Sequence, residues 1–277
     1  MEFRKPGPVY SALVGLTARR RLPVPLRNAA YRAFARAVGA DLAEAELDLR
    51  AYASLGDLFA RRLKPGARTI DPELTSVIAP CDGVLAALGN AADGSMIQAK
   101  GKHYQLDELV VDPELAARLV GGDYATIYLS PRDYHRVHSP VDGRLVRYDY
   151  VPGALWPVNP KIASRRDRLL TRNERVVITI DAGRLGKVAV VMVGAAGVGN
   201  IALTYAPQSV TWRAKGERRR IELDHDLSRG DELGAFRLGS TVVMCFAPGA
   251  VELDGELGQV MRFGERMGTS RPLGGRA

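Results

Sequence analysis

The sequence predicts a β-rich α+β fold, a core of packed antiparallel sheets with an N-terminal helical, membrane-associating appendage. Three observations lead there. From Val77 onward, short runs rich in β-branched residues alternate with glycine turns, the pattern of strands rather than helices. Before that point, Tyr31, Phe34, Ala35 and Val38 recur at helical spacing, with Arg32 and Arg36 turned away from them. The chain of 277 residues is 46% apolar, enough for one large domain plus an appendage. The division expected is 1–62 for the basic amphipathic region and 63–277 for the β-rich domain.

Within the appendage, residues 1–40 hold eight basic residues (Arg4, Lys5, Arg19, Arg20, Arg21, Arg27, Arg32 and Arg36) against Glu2, so +7 of the net +8 lies there. A basic amphipathic helix pair, broken by Pro23 and Pro25, suits an anionic lipid interface. Nucleic acid is a weaker partner, because the basic residues alternate with an apolar face and few aromatics are available for stacking. An organelle transit peptide has the same composition, whereas a secretory signal does not fit the arginines and prolines that follow. From Asp41 to Arg62 the chain reads as helical, with Leu42, Leu47, Leu49, Leu55, Leu58 and Phe59 as core candidates and Gly56 a weak point or break, and 64–68 is a turn. No apolar run is long enough to span a bilayer.

In the β-rich part, Pro80-Cys81-Asp82-Gly83-Val84-Leu85 returns sixty residues later as Pro140-Val141-Asp142-Gly143-Arg144-Leu145. The repeat predicts two equivalent hairpin corners of a pseudo-symmetric fold. Val188–Val193 is a buried strand entering the glycine-rich 194–200. That segment is not a dinucleotide loop, because its order is Gly-x-x-Gly-x-Gly and strand, not helix, follows. Cys81 and Cys245 are expected as buried free thiols, and His103 and His225 as surface residues.

Phe236-Arg237-Leu238-Gly239-Ser240-Thr241-Val242-Val243-Met244 places a Gly-Ser bond where a turn enters an apolar strand. A plain turn is the simplest reading. A hydrolase nucleophile elbow is excluded, because Val242 stands where Gly-x-Ser-x-Gly needs its second glycine. The third reading is self-processing, in which the Ser240 hydroxyl attacks the Gly239 carbonyl and leaves an N-terminal pyruvoyl group. His135 and His138 lie in a polar, proline-flanked segment and suit proton transfer near neutrality better than metal binding, for which no third ligand is evident.

These elements together resemble the phosphatidylserine decarboxylase family. The likeness rests on Leu238-Gly239-Ser240-Thr241, Ala79-Pro80-Cys81-Asp82-Gly83 and the segment Asp133 to His138. Ser54 to Pro65, Val158-Asn159-Pro160, Arg172 to Val176 and Phe246-Ala247-Pro248-Gly249 add to it, and it covers roughly residues 50–257. The resemblance implies cleavage between Gly239 and Ser240 into a β chain (1–239) and an α chain (240–277) capped by pyruvoyl. Ser240 would be the nucleophile, His138 its base, and Asp82 the carboxylate that orients the imidazole. His135 would reprotonate the substrate carbon, and no metal is required. The pyruvoyl would form a Schiff base with the substrate amine and accept electrons as carbon dioxide leaves.

The implied substrate is phosphatidylserine, at an anionic membrane surface, with the enzyme a homodimer held peripherally on the cytoplasmic face of the cell membrane. The alternatives are a pyruvoyl decarboxylase of a soluble amino acid, a serine hydrolase acting on lipid, and a non-catalytic membrane module. The last is disfavoured by the joint presence of Asp82, His138 and Ser240.

Overall fold

The computed structural model describes residues 20–99, 101–195, 201–206, 216–237 and 239–271. In chain order the strands are β1 (Ser76–Ile78), β2 (Gly83–Asn90), β3 (Ser95–Ala99), β4 (Lys102–Gln105), β5 (Asp123–Leu129), β6 (Arg136–His138), β7 (Gly143–Val151) and β8 (Arg175–Asp181). They continue with β9 (Lys187–Gly194), β10 (Ile201–Leu203), β11 (Arg219–Leu227), β12 (Glu232–Phe236), β13 (Ser240–Cys245), β14 (Val251–Leu253), β15 (Val260–Met261) and β16 (Arg266–Ser270). The helices are α1 (Val24–Val38), α2 (Leu55–Phe59), α3 (Leu106–Val110), α4 (Pro113–Leu119), α5 (Pro160–Ala163) and α6 (Leu169–Arg172). The architecture is the β-rich α+β one expected.

An eight-stranded antiparallel sheet runs β11-β7-β8-β9-β13-β5-β2-β15. Val242 and Met244 of β13 enter a core shared with Val137, Leu233 and Phe236 of the small sheet β10-β12-β6 and Val77 and Met267 of the small sheet β1-β16-β14. Val243 and Cys245 point the other way, into a core closed by Leu106 and Leu109 of α3 and Leu115 and Leu119 of α4. Burial on both faces accounts for the unbroken apolar run of β13. Each large side chain so buried contributes about 1.5–3 kcal/mol relative to exposure. This anchors the strand that begins at Ser240.

The repeated Pro-x-Asp-Gly-x-Leu segments are corners, as expected, but not hairpins. Each carries the chain from a small sheet to the large one, β1 to β2 and β6 to β7. The corners clasp each other: Ile78 N–H donates to the Pro140 carbonyl (3.1 Å) and His138 N–H to the Pro80 carbonyl (2.8 Å). Equivalent loops close over each corner. Phe263 N–H donates to Asp82 (2.9 Å) and Arg229 N–H to Asp142 (2.8 Å). In the same way Gly264 N–H reaches the Ala79 carbonyl and Gly230 N–H the Ser139 carbonyl. Gly264 and Gly230 take φ of 91° and 95°, a turn geometry that favours glycine. A pseudo-twofold axis therefore passes between β9 and β13. His138 has Ile78 as its structural counterpart, so one shared scaffold carries an imidazole at one corner and an aliphatic side chain at the other.

The N-terminal region departs from expectation in two ways. Residues 41–62 are not one helix. They hold a 3₁₀ turn at Leu49–Ala51 capped by Asp48, then α2 with a Ser54–Asp57 capping box. The leucines do not keep a single helical period, and two separate caps restart the chain. Leu49, Leu58 and Phe59 are buried, Leu42 and Leu55 half-buried, and Leu47 exposed. The apolar stripe of α1 does not face outward either: Tyr31 and Ala35 are buried, the Tyr31 hydroxyl donates to the Tyr52 carbonyl, and Phe34 packs on Phe59 at 5.5 Å. Among the described residues of α1, Val24 and Leu26 remain exposed. The first half of the expected helix pair, most of 194–200, Leu238 and residues 272–277 lie outside the described residues.

Candidate active site

Ser240 opens β13, where it pairs with Leu129 of β5 on one side and Gly194 of β9 on the other. By the two-residue alternation of strands, its side chain shares the face of Val242 and Met244. It is fully buried, and its hydroxyl has no hydrogen-bond partner among the described residues. A buried hydroxyl without a partner costs about 1–3 kcal/mol and marks a position kept for something other than packing. The chain before Ser240 and its strand partner Leu129 both lead to the histidine segment. Beyond Leu129, a tight turn in which Asp133 accepts from Ser130 N–H and Oγ leads into His135. Upstream of Ser240, Phe236 N–H donates to the His135 carbonyl.

His138 is fixed in one tautomer. Its Nδ1 lies 2.8 Å from the Gly230 carbonyl, which can only accept, so Nδ1 carries the proton. Its Nε2 therefore presents a lone pair and accepts from the Tyr134 hydroxyl at 3.0 Å. The imidazole also stacks on Phe263 at 3.7 Å, the planes 13° apart. Burial brings its pKa down to about 4, against the Gly230 carbonyl, which favours the charged form. Burial also holds the Tyr134 hydroxyl protonated, well above the usual phenol range. At neutral pH the pair is a neutral base nitrogen covered by a phenol.

His135 points elsewhere, as expected for residues three apart along extended chain. It is fully buried, stacks on Phe59 of α2 at 5.0 Å, and among the described residues neither ring nitrogen has a partner. Burial, and then the nearby Arg61 charge, take its pKa down to about 3. Arg136, between the two histidines, donates to the Ala60 and Arg61 carbonyls and to Glu232. This docks α2 against β6.

Asp82 is not hydrogen-bonded to His138. Its carboxylate takes both prongs of the Arg68 guanidinium (3.0 and 2.5 Å) and the Phe263 N–H. Arg68 is shared with Glu44, at 3.0 and 2.9 Å. A direct Asp82–His138 pair is thus replaced by an indirect link, in which the Phe263 backbone holds Asp82 and its ring lies against His138. Glu44, Arg68, Tyr134, Gly230 and Phe263 all carry this geometry and had no role in the sequence reading. Tyr134 stood inside the motif, but Phe263 lies 181 residues from Asp82, beyond any local pattern.

Cys81 and Cys245 are buried free thiols, and His103 and His225 are exposed, as expected. No group of three or more metal-ligating side chains occurs among the described residues.

A buried serine directly after glycine thus heads the central strand, and two neutral buried histidines lie on the segment that follows its strand partner Leu129 and is tied to Phe236. The profile of the phosphatidylserine decarboxylase family matches residues 55–269. A phosphatidylserine decarboxylase proenzyme of Anaeromyxobacter sp. (strain K) is 43% identical over 98% of this chain and 95% of its own length. One from Myxococcus xanthus (strain DK1622) is 40% identical over 95% of this chain and 94% of its own. A third, from Pseudomonas fluorescens, is 39% identical over 98% and 96%. The chain belongs to the phosphatidylserine decarboxylase family, whose members are carboxy-lyases. The family match begins at Leu55, inside the stretch assigned above to the appendage.

The two histidines bear on acid stability. Their folded pKa values, about 4 and about 3, lie below the ordinary 6.5, so between these values the unfolded chain binds protons that the folded chain refuses. The stability they confer is complete above pH 6.5 and is lost as the pH falls toward 4, at up to about 1.4 kcal/mol per pH unit for each histidine. In uncut Ser240→Ala protein, chemical unfolding between pH 7 and 4 is expected to show this decline, with a shallower slope after His135→Asn. An equal slope in the two would contradict a neutral, buried His135.

Proposed function

We propose that the chain is a precursor that cuts itself between Gly239 and Ser240 and then decarboxylates phosphatidylserine to phosphatidylethanolamine. The observation that carries this reading is the partnerless Ser240 hydroxyl buried at the head of the central strand, directly after Gly239, in a chain of this family.

Ser240 Oγ attacks the Gly239 carbonyl, and its proton passes to the neutral His138 Nε2 once the Tyr134 hydroxyl moves aside or relays it. The amide becomes an ester as its nitrogen takes up a proton. Loss of the α-proton of residue 240 then expels the Gly239 carboxylate and leaves dehydroalanine, and hydrolysis with release of ammonia yields the pyruvoyl terminus. Asp82 and Arg68 act through Phe263, fixing the ring against which His138 stacks. When present, the pyruvoyl carbonyl supplies the electrophile and electron sink that decarboxylation of an amine-bearing substrate requires. His135, with both ring nitrogens unpartnered among the described residues, then relays a proton to the substrate carbon, donating from one ring nitrogen as the other takes a proton from water.

The lipid reaches this site at the membrane surface, where the enzyme sits peripherally on the cytoplasmic face, drawn by its basic N-terminus to the anionic leaflet. Because the apolar face of α1 is occupied by Phe59 and Tyr52, residues 1–19, with Val24 and Leu26, provide the lipid contact.

The test is carbon dioxide release from phosphatidylserine vesicles and from free serine. Release from the vesicles alone is expected, and turnover of free serine alone would overturn the substrate assignment. His138→Ala is expected to remain one chain on a denaturing gel. His135→Ala should cut normally but lose decarboxylation by roughly 10²-fold or more. The reverse pattern would exchange the two roles. Removal of residues 1–19 is expected to lower sedimentation with anionic vesicles while cutting proceeds as in the parent, and undiminished sedimentation would end the N-terminal contact proposal.

A further inference from the structure

A cleft of about 520 Å³ lies between α3, α6 and the ends of β7 and β8, lined by Arg168, Arg172, Arg175 and Arg218, with Asp107 and Glu108. Its electrostatics are unbalanced. Glu108 is taken by Arg168 at 2.5 Å. Arg175 is buried and, among the described residues, makes no carboxylate contact: its guanidinium donates to the carbonyls of Leu109, Glu108, Thr171 and Asn173, at the ends of α3 and α6. Arg172 and Arg218 are exposed and form no ion pair among the described residues. The neighbouring Asp112 does not reach them, being held by Arg147 and Arg220. Four guanidinium groups thus face two carboxylates, one already paired.

A buried cation hydrogen-bonded to carbonyls, flanked by two arginines without an ion pair among the described residues, attracts an anion with several acceptor oxygens. Guanidinium forks match phosphate in this way, while the volume is of ligand-binding size. Burial, and then the Arg218 charge, lower the pKa of Arg175 to about 10, against a smaller opposing pull from Glu108.

The cleft is separate from the serine site. Arg175 pairs with Val193 and Ser240 with the next residue, Gly194, so the two sites share one rim of the sheet, two strands or about 10 Å apart. Their side chains leave by opposite faces. Arg175 reaches toward α3, whereas Ser240 lies on the side of Val242 and Met244.

We propose that this cleft is an accessory site for a phosphate-bearing anion, either the headgroup phosphate of a membrane lipid or a soluble phosphate. The site itself stands on the geometry above. The lipid source alone rests on the membrane reading, since a rim that presents Ser240 to a bilayer presents this cleft to neighbouring headgroups.

The experiment compares the full-length protein, an Arg172→Ala/Arg218→Ala variant and a charge-matched control, Arg118→Ala/Arg184→Ala, both of whose positions are exposed and outside the cleft. One arm titrates inorganic phosphate at constant ionic strength. The other measures sedimentation with vesicles of phosphatidylglycerol in phosphatidylcholine. About tenfold weaker binding is expected in the cleft variant and not in the control. A loss with vesicles alone identifies a lipid headgroup, and a loss with inorganic phosphate includes the soluble anion. Unchanged binding in both arms, an equal fall in the control, or no binding by the parent would overturn the site. Self-cutting, read on the same gels, reports separately on the Ser240 chemistry, so failure of that reading is distinguishable from failure of this one.

Discussion

Two backbone hydrogen bonds, from Ile78 N–H to the Pro140 carbonyl and from His138 N–H to the Pro80 carbonyl, set the geometry on which the site depends. They lock the two Pro-x-Asp-Gly-x-Leu corners across a pseudo-twofold axis. Asp82 in one corner and His138 at the entrance to the other then come within reach of a single residue, Phe263, whose backbone holds the first and whose ring covers the second. The symmetric scaffold accounts for rigidity; the chemistry comes from departures from symmetry. Ile78 stands where its counterpart is His138, and Arg229 where its counterpart is Phe263. Only Asp82, of the two corner aspartates, receives the Arg68 fork.

The second constraint is burial without satisfaction. Ser240 Oγ and both nitrogens of His135 are sealed from solvent without partners, although such groups in folded proteins are nearly always hydrogen-bonded. The fold tolerates them because each sits on an element packed by apolar neighbours on both sides: Ser240 at the head of β13, and His135 between Phe59 and the strand pair β6–β12. The same burial keeps both imidazoles neutral. Acid removes that neutrality, so the burial that keeps the imidazoles uncharged is also the cause of acid sensitivity.

Much of the fold was legible from local pattern. The shift to strand-like runs after Val77, the paired corners and the buried strand at Val188–Val193 all follow from alternation and turn chemistry acting over a few residues. Strand order was not legible, because the pairing of β13 with β5 and β9 joins residues more than forty positions apart. The helix at Tyr31–Val38 was readable as amphipathic, but its partner was not: periodicity reveals an apolar face without saying whether lipid or Phe59 covers it. The stretch 41–62 misled because its leucines are dense without being periodic. At the site, Asp82, His135, His138 and Ser240 stood out by residue type and motif. The residues that position them, Arg68, Gly230 and Phe263, are ordinary in their local sequence and become informative only when the chain returns on itself.

The most direct test of the account is the intact mass of the purified protein beside that of Ser240→Ala. Two chains in the parent, ending at Gly239 and beginning at a residue 240 that lacks an amine and resists Edman degradation, with one uncut chain in the variant, are predicted. A single full-length chain in both, from protein shown to be folded, would contradict the claim that the buried serine exists to cut its own backbone.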